Sequence, residues 1–448
     1  MCGFLFTSIR DTNRILKECS HKLSSRGPDF TNIMSINSRT ILHDLLSLNG
    51  HFEIQPVFID SINAYLWFNG EIYNSEVSIN FKGNDTQYLK SLLSEYLIED
   101  VISQIDGEYL ICLYYASSDQ IVICSDLFGT KPAWFGYDVI NKGWGLSSYK
   151  SVLYDLNIRK SIQIPPNTIL KINLEQEKII YKSKIIEFSF NSGNINFSDW
   201  CMRFDQSLLK RIPKVGNLLI PVSSGMDSGL IAYRIKSLGI NACFVSLPAC
   251  EDKDVMFQRQ EQLGIEFISI NKLKYMQTSK IIKTKVEDFN YRKSQPLLDI
   301  NYLSDDPGAI GLYSVLQHGK NKGCLVSFSG QGADEIYSDY GYKGKPLANV
   351  SSLFGEFPNQ LNTIFPWKNL FSGTQRAYLM KDEHISGSLG MESRYPFLDK
   401  SLFEAFIELP SQLKNNYYKG PIGKWTSELN IPCSNRKLGF SANRGLQD

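Results

Sequence analysis

Over residues 1–187 the chain alternates short apolar runs with polar turns, a rhythm of β-structure interrupted by few helices. Residues 40–45, 64–68, 110–115 and 121–124 predict strands, and 11–22 and 86–96 predict helices, with Asp85 as the N-cap of the second. Residues 188–196 (FSFNSGNIN) are polar and rich in Gly and Asn, which predicts a linker. Beyond it the rhythm changes. An apolar strand at 218–222 leads through a short turn into an apolar helix at 228–238 and another strand at 243–247. Strand, helix and strand at this spacing predict a βαβ unit and a parallel sheet. From about Ala309 onward helical signals dominate.

Composition narrows the classes. At 448 residues, two or three domains are expected, and 43% hydrophobic with 21% charged residues fits a globular chain. A net charge of +1 gives no general attraction to nucleic acid or to an anionic membrane. No run approaches the ~18–20 apolar residues that a membrane helix needs. Residues 1–10 lack the basic and apolar regions of an export signal, so none is expected. The 9 cysteines are scattered, without metal-ligand spacing, and predict reduced thiols in a cytoplasm.

Two pieces of chemistry stand out. Cys2 directly follows the initiator methionine, and trimming of Met1 would leave a thiol and a free α-amine on one residue. An α-amine titrates near ~7.7–8.0, so it can take the thiol proton and generate the reactive thiolate. Second, Ser223-Ser224-Gly225-Met226-Asp227-Ser228 lies between a predicted strand and helix. Small residues at a helix N-terminus suit a phosphate, and Asp227 beside one makes sense if Mg²⁺ bridges them. Ser329-Gly330-Gln331-Gly332-Ala333-Asp334-Glu335 repeats the strand-to-turn placement after the apolar run 324–328, making Asp334 a second magnesium-ligand candidate or an ordinary N-cap.

Together these strings resemble the glutamine-dependent asparagine synthetase family across nearly the whole chain. Met1-Cys2-Gly3, Arg26-Gly27-Pro28-Asp29, Asn69-Gly70-Glu71-Ile72-Tyr73-Asn74, Asp85 and the DLFGTKP block at 126–132 resemble its class II glutaminase domain. SSGMDS at 223–228, SGQGADE at 329–335, ESRYPFLD at 392–399, Lys424 and RKLGF at 436–440 resemble its PP-loop synthetase domain. The resemblance implies an α+β Ntn-hydrolase-type αββα domain over 1–187, a linker at 188–197 and an α/β PP-loop (adenine nucleotide alpha hydrolase-like) domain with a parallel sheet over 198–448. It implies that Cys2 attacks the amide of glutamine, with an oxyanion hole at Asn69 and Gly70 and the substrate amine on Glu71 and Asp85. ATP and Mg²⁺ are implied on Ser223–Ser228, Ser329 and Gly330, with the metal on Asp227 and Asp334 and the phosphate charge met by Lys424. Val245, Ser246 and Leu247 are placed at the adenine, an assignment balanced against a plain buried strand. The expected reaction is amidation of an acyl-adenylate, formed from aspartate or another carboxylic acid, by ammonia carried through an internal channel. Family members are often dimers, which implies a homodimer.

Departures from the family pattern qualify this. Leu45 stands where the family has an arginine for the glutamine carboxylate, and a leucine cannot make that bidentate contact; either another basic residue substitutes, with Arg26 as the candidate, or glutaminase activity is weak. Gln331 replaces a glutamate in the acceptor pocket, which points to an acceptor other than free aspartate or to a changed role. Ser224 replaces a glycine, and serine favours the left-handed backbone less. Ser125 replaces the arginine before Asp126, with no functional consequence drawn. Two other readings stay open. One is an ATP-dependent cyclase of the β-lactam synthetase or lasso-peptide type, favoured by Leu45 and opposed by Cys2. The other is a non-catalytic binding or regulatory descendant, opposed by the retained Asp227, Ser228, Asp334 and Lys424.

Overall fold

The computed structural model describes residues 1–48, 52–76, 83–138, 143–190, 196–292, 300–434 and 442. It divides into two compact units, Met1–Glu187 with Gly387–Gly390, and Phe188–Ser386 with Met391–Asp448.

The first unit is built on two antiparallel six-stranded sheets. Gly3–Thr7 is an inner strand of one, flanked by Arg39–Leu45 and Gly143–Ser147. Ala64–Ile72 is an inner strand of the other, flanked by Val57–Ile59 and Gly107–Tyr115. Alternation directs one face of each sheet to the other. Phe6 of the first sheet meets Trp67 and Tyr114 of the second, with ring centroids 5.1 and 4.9 Å apart. Phe4, Ile41, Leu110, Cys112 and Ile123 complete this core. The far face of the second sheet is covered by the helices Asp85–Glu95 and Ile98–Gln104, whose Leu89, Leu93, Val101 and Ile102 join Leu66, Phe68, Ile111 and Leu113. On the first sheet, a helical run at 12–23 and the helix Lys150–Asp155 bury Ile15, Cys19, Leu23, Val152 and Leu153. Leu23 closes on Gly3, and Leu153 on Gly145. The layer order is helix, sheet, sheet, helix.

The second unit carries a five-stranded sheet, every neighbouring pair of which is parallel. Its order is Glu266–Phe267, Cys243–Ser246, Asn217–Pro221, Cys324–Phe328 and Glu392–Arg394. The chain winds outward from Asn217–Pro221 in one direction and returns to Cys324–Phe328 on its other side, so the strand order reverses between those two. That crevice, beyond the carboxyl ends of the strands, is where open parallel sheets place ligands.

Three expectations change. The cap of helix Asp85–Glu95 is Asn84, whose Oδ1 accepts from Gln87 N at 2.9 Å. This frees Asp85 for a different bond, to Ile72 N. The interval expected to be a solvated linker is partly packed: the rings of Phe188 and Phe190 lie 5.7 and 5.0 Å from that of Phe365. Residues 191–195 and the RKLGF string at 436–440 lie outside the described residues. Ser224 is not among the residues of positive φ, so the replaced glycine was not needed there for a left-handed backbone.

The 392–399 block is explained by a buried charge cluster. Asp399 caps helix Lys400–Glu408 through Ser401 N and Leu402 N, and accepts from Arg211 Nη1 at 2.8 Å, with Lys210 as a further partner. These cations hold its carboxyl far below the usual range despite burial. Asp399→Ala leaves the buried Arg211 uncompensated and is expected to cost about 3–5 kcal/mol. Thermal unfolding of the purified chain checks this. The native stabilisation is present above the unfolded carboxylate pKa of about 4 and fades only as pH falls below it, so the loss should persist from pH 6 to 8.

Candidate active sites

In the first unit the segment that begins strand Gly3–Thr7 brings Cys2 beside Asn69 of strand Ala64–Ile72. Cys2 N donates to Asn69 Oδ1 at 2.8 Å. This fixes the amide rotamer, and Asn69 Nδ2 is left buried with no hydrogen-bond partner among the described residues. A buried donor without an acceptor costs about 1–3 kcal/mol, and this one belongs to the residue that holds Cys2 N. Gly70 follows in the same strand at φ +133, and a Cβ there would stand 1.9 Å from the Glu108 carbonyl oxygen, so only glycine fits this position. The Cys2 thiol lies 3.9 Å from the Leu46 carbonyl.

The Arg26-Gly27-Pro28-Asp29 string builds the wall facing this thiol. Asp29 N donates to Leu45 O at 2.9 Å, and Asp29 Oδ2 accepts from Ser47 N at 2.7 Å. Arg26 does not serve as the expected stand-in for the missing arginine. Its guanidinium is fully buried, donates from Nε to Cys2 O at 3.2 Å, and lies over the Tyr149 ring at 5.3 Å. It fixes the backbone of Cys2 from behind.

An open cleft of about 50 Å³ is lined by Cys2, Leu45, Leu46, Ser47, Leu48, Glu53, Gln55, Phe68, Gly70, Glu71, Asn84, Asp85 and Thr86. Expected site residues Cys2, Gly70, Glu71 and Asp85 thus meet here, and Asp85 Oδ2 accepts from Ile72 N at 3.0 Å. Glu53, held by Gln87 Nε2 at 2.9 Å, is a lining carboxylate that no motif announced. Gln55 ties the floor together: its Oε1 accepts from Phe68 N at 2.7 Å and its Nε2 donates to Thr86 at 3.2 Å. Below it, the DLFGTKP block is a staple. Asp126 accepts from Tyr109 N, Phe128 N and Thr130 N at 3.1, 2.9 and 3.0 Å.

In the second unit, the turns after Asn217–Pro221 and Cys324–Phe328 bring Asp227 and Asp334 around one charge. That charge is the ammonium of Lys419, 2.6 Å from both Asp227 oxygens and 3.1 Å from Asp334 Oδ1. Gly330 permits the approach, since a Cβ there would stand 3.2 Å from Asp227 Cβ. Tyr418 OH donates to Asp334 Oδ1 at 3.0 Å. The two carboxylates keep the buried Lys419 charged, its pKa well above the ordinary value. Lys424, expected at the phosphates, instead pairs with Glu428 one turn along helix Pro421–Glu428. The structure therefore brings Lys419, not Lys424, to the acidic pair. A Lys-Gly-Pro string ahead of a helix was the available signal. Asp334 is not a cap either, since Gly332 occupies that position of helix Ala333–Tyr337. Gln331 lies in the same turn, its N–H 3.4 Å from Ser329 Oγ.

The phosphate-loop candidate is ordered by its own hydroxyls. Ser228 Oγ accepts from Ser223 N at 3.0 Å and shares a 2.8 Å bond with Ser223 Oγ, which accepts from Gly225 N at 3.2 Å. Gly225 then caps the helix Met226–Ser237. Ser224 N donates to Glu251 Oε2 at 2.7 Å, and its hydroxyl does the same. Burial raises the Glu251 carboxyl above its usual range, opposed by those bonds. Val245 and Leu247 are buried at the end of strand Cys243–Ser246. Oxygen-only donors from two adjoining strand ends, converging on one positive point, fit a hard divalent cation. Among the described residues no cluster of three or more acidic, His or Cys ligands occurs, and no helix is long and apolar enough to cross a membrane.

Comparison with known proteins matches residues 1–186 to a glutamine amidotransferase domain family. Over 436 residues the chain is 24% identical to a Methanocaldococcus jannaschii protein named provisionally as asparagine synthetase [glutamine-hydrolyzing] 1, spanning 89% of this chain and 77% of the relative. It is 24% identical to the asparagine synthetase domain-containing protein YML096W of Saccharomyces cerevisiae, with 92% and 84% covered. It is 21% identical to asparagine synthetase [glutamine-hydrolyzing] 2 of Oryza sativa subsp. japonica, with 95% and 72% covered. Among solved structures, the glutamine phosphoribosylpyrophosphate amidotransferase of B. subtilis aligns at 11% identity and TM-score 0.34, covering 100% of this chain and 99% of that one.

Asp44, beside Leu45 in the wall of the cleft, yields a test of this packing. Burial pushes its carboxyl up to about 7, with the Thr31 hydroxyl opposing. The native state then holds a proton that the unfolded chain releases near pH 4, so this group lowers stability as pH rises from about 4 to about 7. Asp44→Asn removes the effect. Its thermal midpoint should exceed that of the parent at pH 8 by several degrees, at about 2–4 °C per kcal/mol, and the gain should shrink as pH falls and vanish near pH 4.

Proposed function

Because the chain belongs to the glutamine-hydrolysing asparagine synthetase family, we propose that it is a glutamine amidotransferase ligase: Cys2 releases ammonia from a side-chain amide, and the second unit joins that ammonia to a carboxylate activated with ATP. The observation that carries this reading is the Asn69 amide, bonded through Oδ1 to Cys2 N with its buried Nδ2 left over.

In the mature protein Met1 is removed and Cys2 N becomes an amine, oriented by Asn69. It takes the thiol proton, and the thiolate attacks the amide carbon. Asn69 Nδ2 and the Gly70 N–H stabilise the oxyanion, a contribution of about 10²–10³-fold per donor. The C–N bond breaks, ammonia leaves with the amine's proton, and water hydrolyses the thioester to return the thiol and a carboxylic acid. Glu71 and Asp85 receive the substrate's ammonium. This unit is thus read as an Ntn-type glutaminase fold.

The second unit is read as a PP-loop ATP-binding domain. Its Ser223–Ser228 turn and helix N-terminus receive phosphate oxygens, together with Ser329 and Gly330. Asp227 and Asp334 would hold Mg²⁺, which supplies neutralisation of phosphate charge. Lys419 adds a fixed positive charge at the same place. A carboxylate oxygen of the acceptor attacks the α-phosphorus and pyrophosphate leaves; ammonia then displaces AMP from the acyl carbon. Gln331 borders the acceptor in this reading, and its uncharged amide suits an acceptor other than aspartate. The free state of all 9 cysteines fits a cytoplasmic setting.

The test uses the purified full chain with glutamine, ATP, Mg²⁺ and a panel of carboxylic acids, following glutamate and pyrophosphate separately. Cys2→Ala should abolish glutamate formation yet leave pyrophosphate release with added ammonium. Asn69→Ala should lower kcat for glutamate formation about 10²–10³-fold. Lys419→Met should reduce pyrophosphate release more than Lys424→Met does. Retention of glutaminase in Cys2→Ala sinks the assignment.

A further inference from the structure

The serine turn of the second unit is tied to a distant stretch of chain. Residues 431–434 follow helix Pro421–Glu428, and Ser434 N donates to Ser224 O at 3.0 Å. Arg259, on helix Lys253–Leu263, makes the larger tie, and its side chain is fully buried. Its Nε and Nη2 donate to Pro432 O at 2.9 and 2.6 Å. Nη2 also lies 3.3 Å from Cys433 Sγ, and Nη1 donates to Ser223 O. One planar guanidinium thus joins the turn to residues 432–433 through its fork of donors, a bridge that a single ammonium does not reproduce. Burial lowers the Arg259 pKa, with Cys433, Tyr233 and Glu251 opposing, and a guanidinium keeps its charge even so. Gly229 leaves the space for it. A Cβ at Gly229 would stand 2.2 Å from Arg259 Nη2. Glycine inside a helix is unfavourable relative to alanine, and here, within Met226–Ser237, the guanidinium occupies the room that the missing side chain frees.

We propose that Arg259 is a positioning residue for the nucleotide: by bridging Ser223 O to residues 432–433, it fixes the turn 223–225 in the orientation that receives phosphate oxygens. This rests on the reading of Ser223–Ser228 as the ATP phosphate loop. Two peptide planes of the turn are held at both ends. The Ser223–Ser224 plane accepts from Arg259 at its carbonyl and donates to Glu251 from its N–H. The Ser224–Gly225 plane accepts from Ser434 N at its carbonyl and donates to Ser223 Oγ from its N–H. Neither plane can rotate without breaking a bond, and in the first plane both bonds are to ionisable groups. The N–H groups that open helix Met226–Ser237 are thereby aimed before a ligand arrives, and a loop fixed in advance binds without the cost of ordering it. Arg259 acts through the loop and not by touching the nucleotide.

The experiment measures the Kd of ATP with Mg²⁺ on the purified full chain by calorimetry, with glutamate formation at Cys2 followed in parallel. Arg259→Met should raise Kd about 10-fold or more, the scale of one lost charge-assisted hydrogen bond, while glutamate formation stays at the parent's rate. Arg259→Lys keeps the charge without the fork and should recover part of the loss. Gly229→Ala should weaken binding in the parent, where the added methyl displaces the guanidinium. It should have no further effect in Arg259→Met, where no guanidinium is left to displace. Ser434→Pro removes the N–H bonded to Ser224 O and should also raise Kd. Unchanged Kd in folded Arg259→Met overturns this inference and leaves the nucleotide reading intact. An equal loss from Gly229→Ala in both backgrounds overturns its routing through the guanidinium. If Arg259→Met does not fold, Gly229→Ala and Ser434→Pro carry the test, and unchanged Kd in both overturns the inference. Absence of ATP binding by the folded parent chain overturns the phosphate-loop reading itself.

Discussion

Much of the first unit's geometry depends on one hydrogen bond, from Cys2 N to the Asn69 side chain at 2.8 Å. It joins the segment entering one sheet to an inner strand of the other. Besides this bond and the Arg39–Asp119 ion pair, the sheets are held by undirected packing of Phe4, Phe6, Trp67 and Tyr114. Hydrophobic packing sets their separation but does not aim a thiol. The amide bond supplies the direction, and Arg26 supplies the opposing restraint on the Cys2 carbonyl. Mobility of the first residues, the ordinary behaviour of chain ends, is thereby suppressed where reactivity needs a fixed position.

Much of what positions the sites was legible, for reasons that differ by residue. The strand Cys324–Phe328 coincides with its predicted bounds, and Arg39–Leu45 with them to within one residue, because short apolar runs between polar turns leave few alternatives. Asn69 and Gly70 were reached through the family resemblance of the string at 69–74, and the structure adds that Gly70 makes a close approach to the Glu108 carbonyl. Spacing could not choose between Lys419 and Lys424. That choice depends on whether a lysine precedes the helix or lies on its exposed face, and the boundary at Pro421 decides it. Asn84 and Asp85 were confused for a similar reason: both are capping residues, and only the bond to Ile72 N separates them. Glu251 and Glu53 were invisible, since their partners Ser224 and Gln87 lie far along the chain.

The two sites gather charge differently. At Lys419 the buried ammonium lies beside two carboxylates, which hold its pKa well above the ordinary value against the opposing effect of burial. The cleft at Cys2 gathers the carboxylates Glu53, Glu71 and Asp85 with the apolar Leu45, Leu46 and Leu48.

The Ser224–Glu251 bond follows the same logic. A phosphate-binding turn works by offering unpaired N–H groups at a helix N-terminus. Here one of those N–H groups, and the hydroxyl that the replaced glycine lacked, are already taken by a carboxylate. The carboxylate keeps a buried donor satisfied and fixes the loop without any need for left-handed backbone at Ser224. It also places negative charge beside the turn, so an incoming phosphate group must either bind on the remaining N–H groups or take over the Ser224 N–H. Burial raises the Glu251 carboxyl and the two Ser224 bonds oppose that rise, so the serine and the glutamate make physical sense as a pair.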